Sequence, residues 1–156
     1  MKNLNNILML CIIASFTLFA SCKKDKKDTT ASTTSVKTDY LTKGPWKVTA
    51  ERTKLNGGAW IDEFVNWQPC ELDNTTTFYK NFTTIDDEGA SKCGTTDPQS
   101  TTGNWAFNTG ETSLILIDGV DQYSYTIQIL DNTILRIQGV NIVATDTITY
   151  ELTFGH

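Results

Sequence analysis

The side chains able to do chemistry in this sequence are few, and their types exclude much of it before any fold is considered. Cysteines stand at Cys11, Cys22, Cys70 and Cys93, and the only histidine is His156. Acid–base and nucleophilic catalysis at neutral pH call for a histidine or tuned carboxylate beside an activated nucleophile. The chain has no internal histidine, no Gly-x-Ser-x-Gly elbow and no glycine-rich phosphate loop leading into a helix. Cys70 and Cys93 lack the further partners that a tetrahedral metal site requires. Asp86-Asp87-Glu88-Gly89 lacks the spaced oxygen ligands and closing glutamate of a calcium loop, so it reads as a polar hairpin tip. Asp62, Glu63, Glu71 and Asp73 read as a solvated acidic face. The expectation is a protein that is not an enzyme and carries no metal and no cofactor.

What remains is aromatic. Trp46, Trp105, Tyr123, Tyr125 and Tyr150 suit a packed core, and core packing alone explains them. Rings with an apolar body and a polar tip are also what a pocket for a small apolar or amphipathic ligand uses, and these five are its candidate ligand-binding residues. Trp60, Phe64 and Trp67 fall at i, i+4 and i+7, the spacing of a short amphipathic helix that could lie as a lid across such a pocket and gate it. Strand-like alternation of Trp60, Asp62 and Phe64 is the competing reading.

These rings must be positioned by strands. Runs of β-branched and aromatic residues recur after residue 44 with turn signals between them, and no long helical period interrupts them. Trp46 to Lys54 alternates Trp46, Val48 and Ala50 with Lys47, Thr49 and Glu51, and Asn56-Gly57-Gly58 ends it. Thr76 to Ile85 reads as a second strand and Ala90 to Lys92 as a short third. Thr101 to Phe107, Ser113 to Asp118, Gln122 to Leu130, Thr133 to Val140 and Ile142 to Phe154 follow, with Gly139 as the last turn signal. Turns this short favour antiparallel hairpins, since a parallel crossover needs about a dozen residues or more. The expected fold is all-β, an antiparallel up-and-down meander β-barrel of about eight strands, with a short helix or lid segment after the first strand. A two-sheet sandwich shares the alternation.

The N-terminal third is different material. Lys2 followed by the apolar run Ile7 to Phe19 and small residues has the plan of a signal peptide over residues 1–21. The run is shorter than the roughly 20 residues a membrane-spanning helix needs. Leu18-Phe19-Ala20-Ser21-Cys22 resembles the lipobox of bacterial lipoproteins, with Phe19 in place of the usual leucine. The resemblance implies cleavage before Cys22, lipidation of its thiol, and attachment to the membrane through the N-terminal lipid. Lys23 and Lys24 after the cysteine resemble an outer-membrane sorting signal, which implies a cell-envelope, outer-membrane lipoprotein facing either the periplasm or the surface. Residues 22–43 read as a flexible tether carrying six lysines against three aspartates, whereas residues 44–156 carry six basic against fifteen acidic side chains. A domain with that excess of negative charge repels phosphate backbones, so no nucleic acid is expected as a partner. With Cys11 removed and Cys22 lipidated, Cys70 and Cys93 remain in an oxidising compartment and are expected to form a disulfide.

Gly44-Pro45-Trp46 resembles the Gly-x-Trp signature on the first strand of lipocalins. Cys70-Glu71-Leu72-Asp73-Asn74 leading to Phe78, then Gly89-Ala90-Ser91-Lys92-Cys93, then Gly103-Asn104-Trp105, are similar in order and spacing to the lipocalin-like domains of small lipoproteins from Gram-negative bacteria. The resemblance implies a lipocalin-like β-barrel domain over residues 44–156, monomeric, with an apolar small molecule inside. It also implies an arginine packed over the first tryptophan, for which Arg136 is the candidate. The alternative function is a filled barrel used as a scaffold, contacting a protein or glycan through loops near Trp60, Trp67 or Gly94 to Ser100.

Overall fold

The computed structural model describes residues 35–156; the segment expected to be a signal peptide, Cys22 and the expected tether up to residue 34 lie outside the described residues. A short helix α1 (Val36–Leu41) precedes β1 (Pro45–Leu55), β2 (Ile61–Asp62), a single 3-10 turn (Phe64–Asn66), β3 (Thr75–Phe78), β4 (Thr83–Asp87), β5 (Ser100–Phe107), β6 (Ser113–Asp118), β7 (Asp121–Leu130), β8 (Ile134–Val143) and β9 (Asp146–Gly155). From β3 onward each strand pairs antiparallel with the next, and β1 pairs with both β3 and β9. Eight strands therefore close into an up-and-down barrel, and β2 is an extra ribbon on β1. Closure leaves the eight without a free sheet edge to manage.

The base of the barrel is shut by the segment expected to be the end of the tether. Ser35 caps α1, its Oγ accepting from Thr38 N at 3.1 Å, and Leu41 is fully buried. The carbonyl of Leu41 accepts the indole N–H of Trp46 at 2.8 Å. Three base turns are tied to the same segment: Lys37 reaches Glu111 O, Asp39 pairs with Lys80 at 2.6 Å, and Lys43 reaches Asn132 O at 3.2 Å. So polar a stretch folds because the barrel offers Leu41 a place inside and the charges of the stretch partners around the rim of the base. The core above this plug is Trp46, Phe78, Trp105, Leu114, Leu135 and Ile137.

Other departures from the expected strands have local causes. The run from Thr76 to Ile85 is two strands, because Tyr79 and Thr83 close a turn (Tyr79 N to Thr83 O, 2.9 Å) in which Phe82 takes φ +66°. Asn81 supports it by accepting from Thr83 N and Oγ1, and the Phe82 ring rests 5.2 Å from that of Trp105. Ala90 to Lys92 forms no strand. Gly139 lies inside β8 rather than at a turn, directly opposite Tyr150, whose phenol ring covers it where a Cβ would stand. The hairpin turns later, at Ala144 with φ +56°. The β7–β8 ladder stops at Thr126–Gln138, and beyond it β8 continues with β9 as an arm bearing exposed Val140, Ile142 and Val143.

A bulge at Thr49 changes the face of β1. The β1–β9 register slips between Val48 and Ala50, and a bulge reverses which side chains point inward beyond it. Trp46 and Val48 face the interior as expected. After the slip Glu51 and Thr53 pair with Leu152 and Tyr150 on the inner face, while Arg52 pairs with Glu151 outside.

Candidate ligand cavity

The barrel is not filled. A cavity of about 170 Å³ lies inside it, walled by Phe78, Leu114, Leu116, Leu135, Ile137 and Phe154 on the apolar side. The polar part of the lining includes Thr76, Thr84, Asp86, Thr101, Asn104, Asp118 and Tyr123. Thr76, Asp86, Thr101 and Asp118 sit at or next to strand ends opposite α1, so the charged part of the lining lies at the end away from the plug. A second compartment of about 240 Å³ adjoins it, sharing Thr76, Asp86 and Phe154 and adding Trp46, Val48, Trp67, Glu71, Asn74 and Glu88. It exists because the β1–β3 ladder spans only Pro45–Thr77 and Trp46–Thr76, leaving the wall above to be completed by the loop between β2 and β3.

Two fasteners hold that loop. Trp67 donates its indole N–H to Glu51 Oε2 at 2.6 Å, a bond that depends on the bulge having turned Glu51 inward. Cys70 and Cys93 form a disulfide with Cα atoms 5.2 Å apart, joining the loop to the long connection between β4 and β5. Asp73 Oδ2 accepts from Ala90 N and Ser91 N at 2.7 and 3.1 Å. Asn74, with its amide nitrogen turned toward them, donates to Cys70 O and Glu88 O. Gly89, at φ +67°, passes so close to Asp73 that a Cβ would stand 2.6 Å from its carbonyl oxygen. The Asp86–Gly89 stretch is thus the entry to a laced loop rather than a free hairpin tip.

The expected ligand-binding residues divide. Trp46, Trp67 and Tyr123 line the compartments. Trp105 does not: it is buried against Phe78 and Phe107, with Nε1 donating to Tyr79 O at 2.9 Å. Tyr125 and Tyr150 pack edge to face at 6.0 Å beside the core. The helix expected over Trp60 to Trp67 contracts to the β2 ribbon and one 3-10 turn, in which Phe64 leans on Trp67 at 5.2 Å. Trp60 is outside the barrel altogether, under the guanidinium of Arg52 and the ammonium of Lys54 at 4.4 and 4.5 Å. That outer face also holds Glu151, whose buried carboxylate meets Arg52 at 2.8 Å and Arg136 at 3.6 Å. Arg136 therefore does not cover the first tryptophan. His156 does, with ring centroids 4.0 Å apart and Nδ1 at 2.9 Å from Pro45 O.

The polar wall was missed by the aromatic search. Thr84-x-Asp86 and Thr76-x-Phe78 each alternate with period two, and the pattern points inward only once the turn at Tyr79–Phe82 is placed. Among the described residues no three His, Cys, Asp or Glu side chains come together as a metal-binding set.

Burial, then the neighbouring Tyr150 and Tyr123, push the Tyr125 phenol from its usual value near 10 up to about 12. The folded state keeps the proton that the unfolded chain releases first, so stability is expected to fall as pH rises from about 10 toward 12. Tyr125→Phe should flatten that alkaline slope, and phenolate absorbance should show one tyrosine titrating late. A slope unchanged by the substitution would assign the loss to other groups.

No protein-family model matches this chain, and no curated protein matches it.

Proposed function

We propose that the chain is a membrane-tethered, lipocalin-like carrier that takes a small amphipathic molecule into the open end of its barrel. The observation that supports this reading is the unfilled interior, apolar at its floor and hydroxyl- and carboxylate-bearing toward its mouth. An empty apolar cavity of about 150 Å³ is enough to take up benzene, so the inner compartment suits a ring or a short alkyl segment, and the outer one suits the head group. Burial of about 100 Å² of apolar ligand surface would contribute about 2.5 kcal/mol. The Gly-x-Trp resemblance at Gly44 to Trp46, and the lipobox resemblance ending at Cys22, support the family and the outer-membrane tether. A scaffold that acts only through its loops would have no use for a hollow interior, and the cavity weighs against it.

Trp46 and Trp67 line the outer compartment, so occupancy there reports on itself. Addition of hexyl-chain amphiphiles is expected to change tryptophan emission saturably, and Leu116→Phe, which fills the floor without adding an indole, should weaken the response. Emission that drifts linearly with concentration in both proteins would overturn the carrier reading.

A further inference from the structure

The carrier reading leaves open which kind of amphiphile enters, and the polar wall answers it. Neither compartment has a lysine or an arginine in its lining, while Asp86 and Asp118 stand in the inner one and Glu71, Asp86, Asp87 and Glu88 in the outer. Asp86 is only partly engaged: Thr76 Oγ1 donates to its Oδ1 at 2.5 Å. Deeper on the same wall sits Thr84, only 4% exposed. It pairs with Phe78 on one side and Gly103 on the other. Its hydroxyl lines the cavity with no hydrogen-bond partner among the described residues. A Cβ on Gly103 would stand 2.8 Å from that hydroxyl, so the glycine keeps the space beside Thr84 open. That hydroxyl is open to the cavity, whereas the side-chain polar atom that is both buried and unpaired among the described residues is Asp73 Oδ1, so an occupant can pair with Thr84 in place of water.

The lining is graded along the barrel rather than split by strand. Phe78, Leu114, Leu135 and Ile137 lie toward the plug, and Thr76, Asp86, Thr101 and Asp118 lie toward the opposite strand ends. The threonine hydroxyls at that end can accept or donate, as Thr76 does to Asp86, but the charged groups in the lining are all negative. An occupant with a carboxylate or phosphate head would bring like charge beside Asp86 and Asp118, which are exposed at the mouth, so the repulsion is moderated by water and salt but still favours a cation over an anion. Among the described residues no three carboxylates come together as a metal-binding set, and an organic cation also supplies an apolar body for the leucine side of the cavity.

We propose that the cavity selects amphiphilic amines: molecules whose protonated nitrogen donates to Asp86, Asp118 and the Thr84 hydroxyl while a short apolar body lies against the leucines. This rests on the carrier reading, and it excludes fatty acids as the preferred cargo.

The test compares three ligands with one short tail: hexylamine, its neutral relative hexanol, and hexanoate, each titrated against tryptophan emission. Hexylamine is expected to bind at least about tenfold tighter than hexanoate, a difference of about 1.4 kcal/mol, with hexanol between. Added salt should narrow the gap in the wild-type protein, since the rim carboxylates are exposed. The variant with Asp86→Asn and Asp118→Asn should lose the preference for the amine while keeping its affinity for hexanol. Thr84→Val should weaken the amine. Equal binding of amine and hexanoate, or a preference that survives the double substitution, overturns the inference while hexanol binding keeps the carrier reading standing. If none of the three binds, the carrier reading falls and takes this inference with it. Should the double variant fail to fold, the salt dependence of the wild type and the single Asp118→Asn variant decide.

Discussion

Replacing Trp46 by alanine is expected to lower the unfolding free energy by about 3–5 kcal/mol, the largest single-residue effect in the molecule. The indole is fully buried, and its removal leaves a hole where barrel, plug and outer compartment meet. Two further losses add to the cavity term. The Leu41 carbonyl forfeits its donor, at a cost of about 1–3 kcal/mol for a buried group left unpaired, and His156 loses the ring it lies against. Trp46→Phe separates the contributions, since it retains most of the apolar volume while still orphaning that carbonyl. Urea unfolding followed by far-UV circular dichroism measures both. Amide exchange over residues 36–41 should rise sharply in either variant, because α1 has six residues and a helix that short has no stability of its own. An alanine variant that unfolds within about 1 kcal/mol of the wild type would show that the base is held by the ion pairs of α1 instead.

Those residues also show where the sequence was readable. Trp46 could be placed on the first strand, facing inward, because alternation and a turn signal bracket it. Ser113–Asp118 was legible to the residue for the same reason, with Asn108-Thr109-Gly110 before it and Asp118-Gly119 after. The closed meander followed from short turns and strand number. What could not be read was anything fixed by a partner strand. The bulge at Thr49 is set by the β9 register, so Glu51 looked outward when it turns in to hold Trp67. Gly139 looked like a turn because the demand on it comes from the Tyr150 ring across the ladder. The polar stretch up to Lys43 looked like tether because Leu41 gains its place only from a barrel that is already closed. Thr84 and Asp86 suffered the opposite problem: threonine and aspartate alternating in a strand match a solvated face, and only a misplaced turn separated them from the interior. Aromatic residues were easier to find than to assign. Trp67 and Tyr123 line the cavity, whereas Trp60, Phe64, Trp105, Tyr125 and Tyr150 hold the walls or lie outside them.

Breaking the Cys70–Cys93 bridge should have the second-largest effect. The bond spans 23 residues of sequence, for which the chain-entropy model gives about 3 kcal/mol. With a urea dependence of about 1–3 kcal/mol per molar, the midpoint should fall by one to a few molar, identically in the reduced wild type and in a variant with both cysteines changed to serine. Reductant should do nothing to that variant. The effect on binding should be smaller than the effect on stability, for a geometric reason. The loop that completes the outer compartment is held at Trp67 by Glu51 as well as at Cys70 by sulfur, so reduction loosens Glu71 while the bonds of Asp73 and Asn74 to Ala90, Ser91 and Glu88 persist and Trp67 stays in place. Amphiphile affinity should therefore drop by a factor of several, through loosening of the Glu71 carboxylate and of the pre-formed mouth, while contacts with the apolar floor persist. Combining the serine pair with Glu51→Gln, which weakens the remaining fastener, should lower affinity by more than the two changes made separately. Strict additivity would mean that the two fasteners act on different parts of the mouth and that the loop does not move as one body.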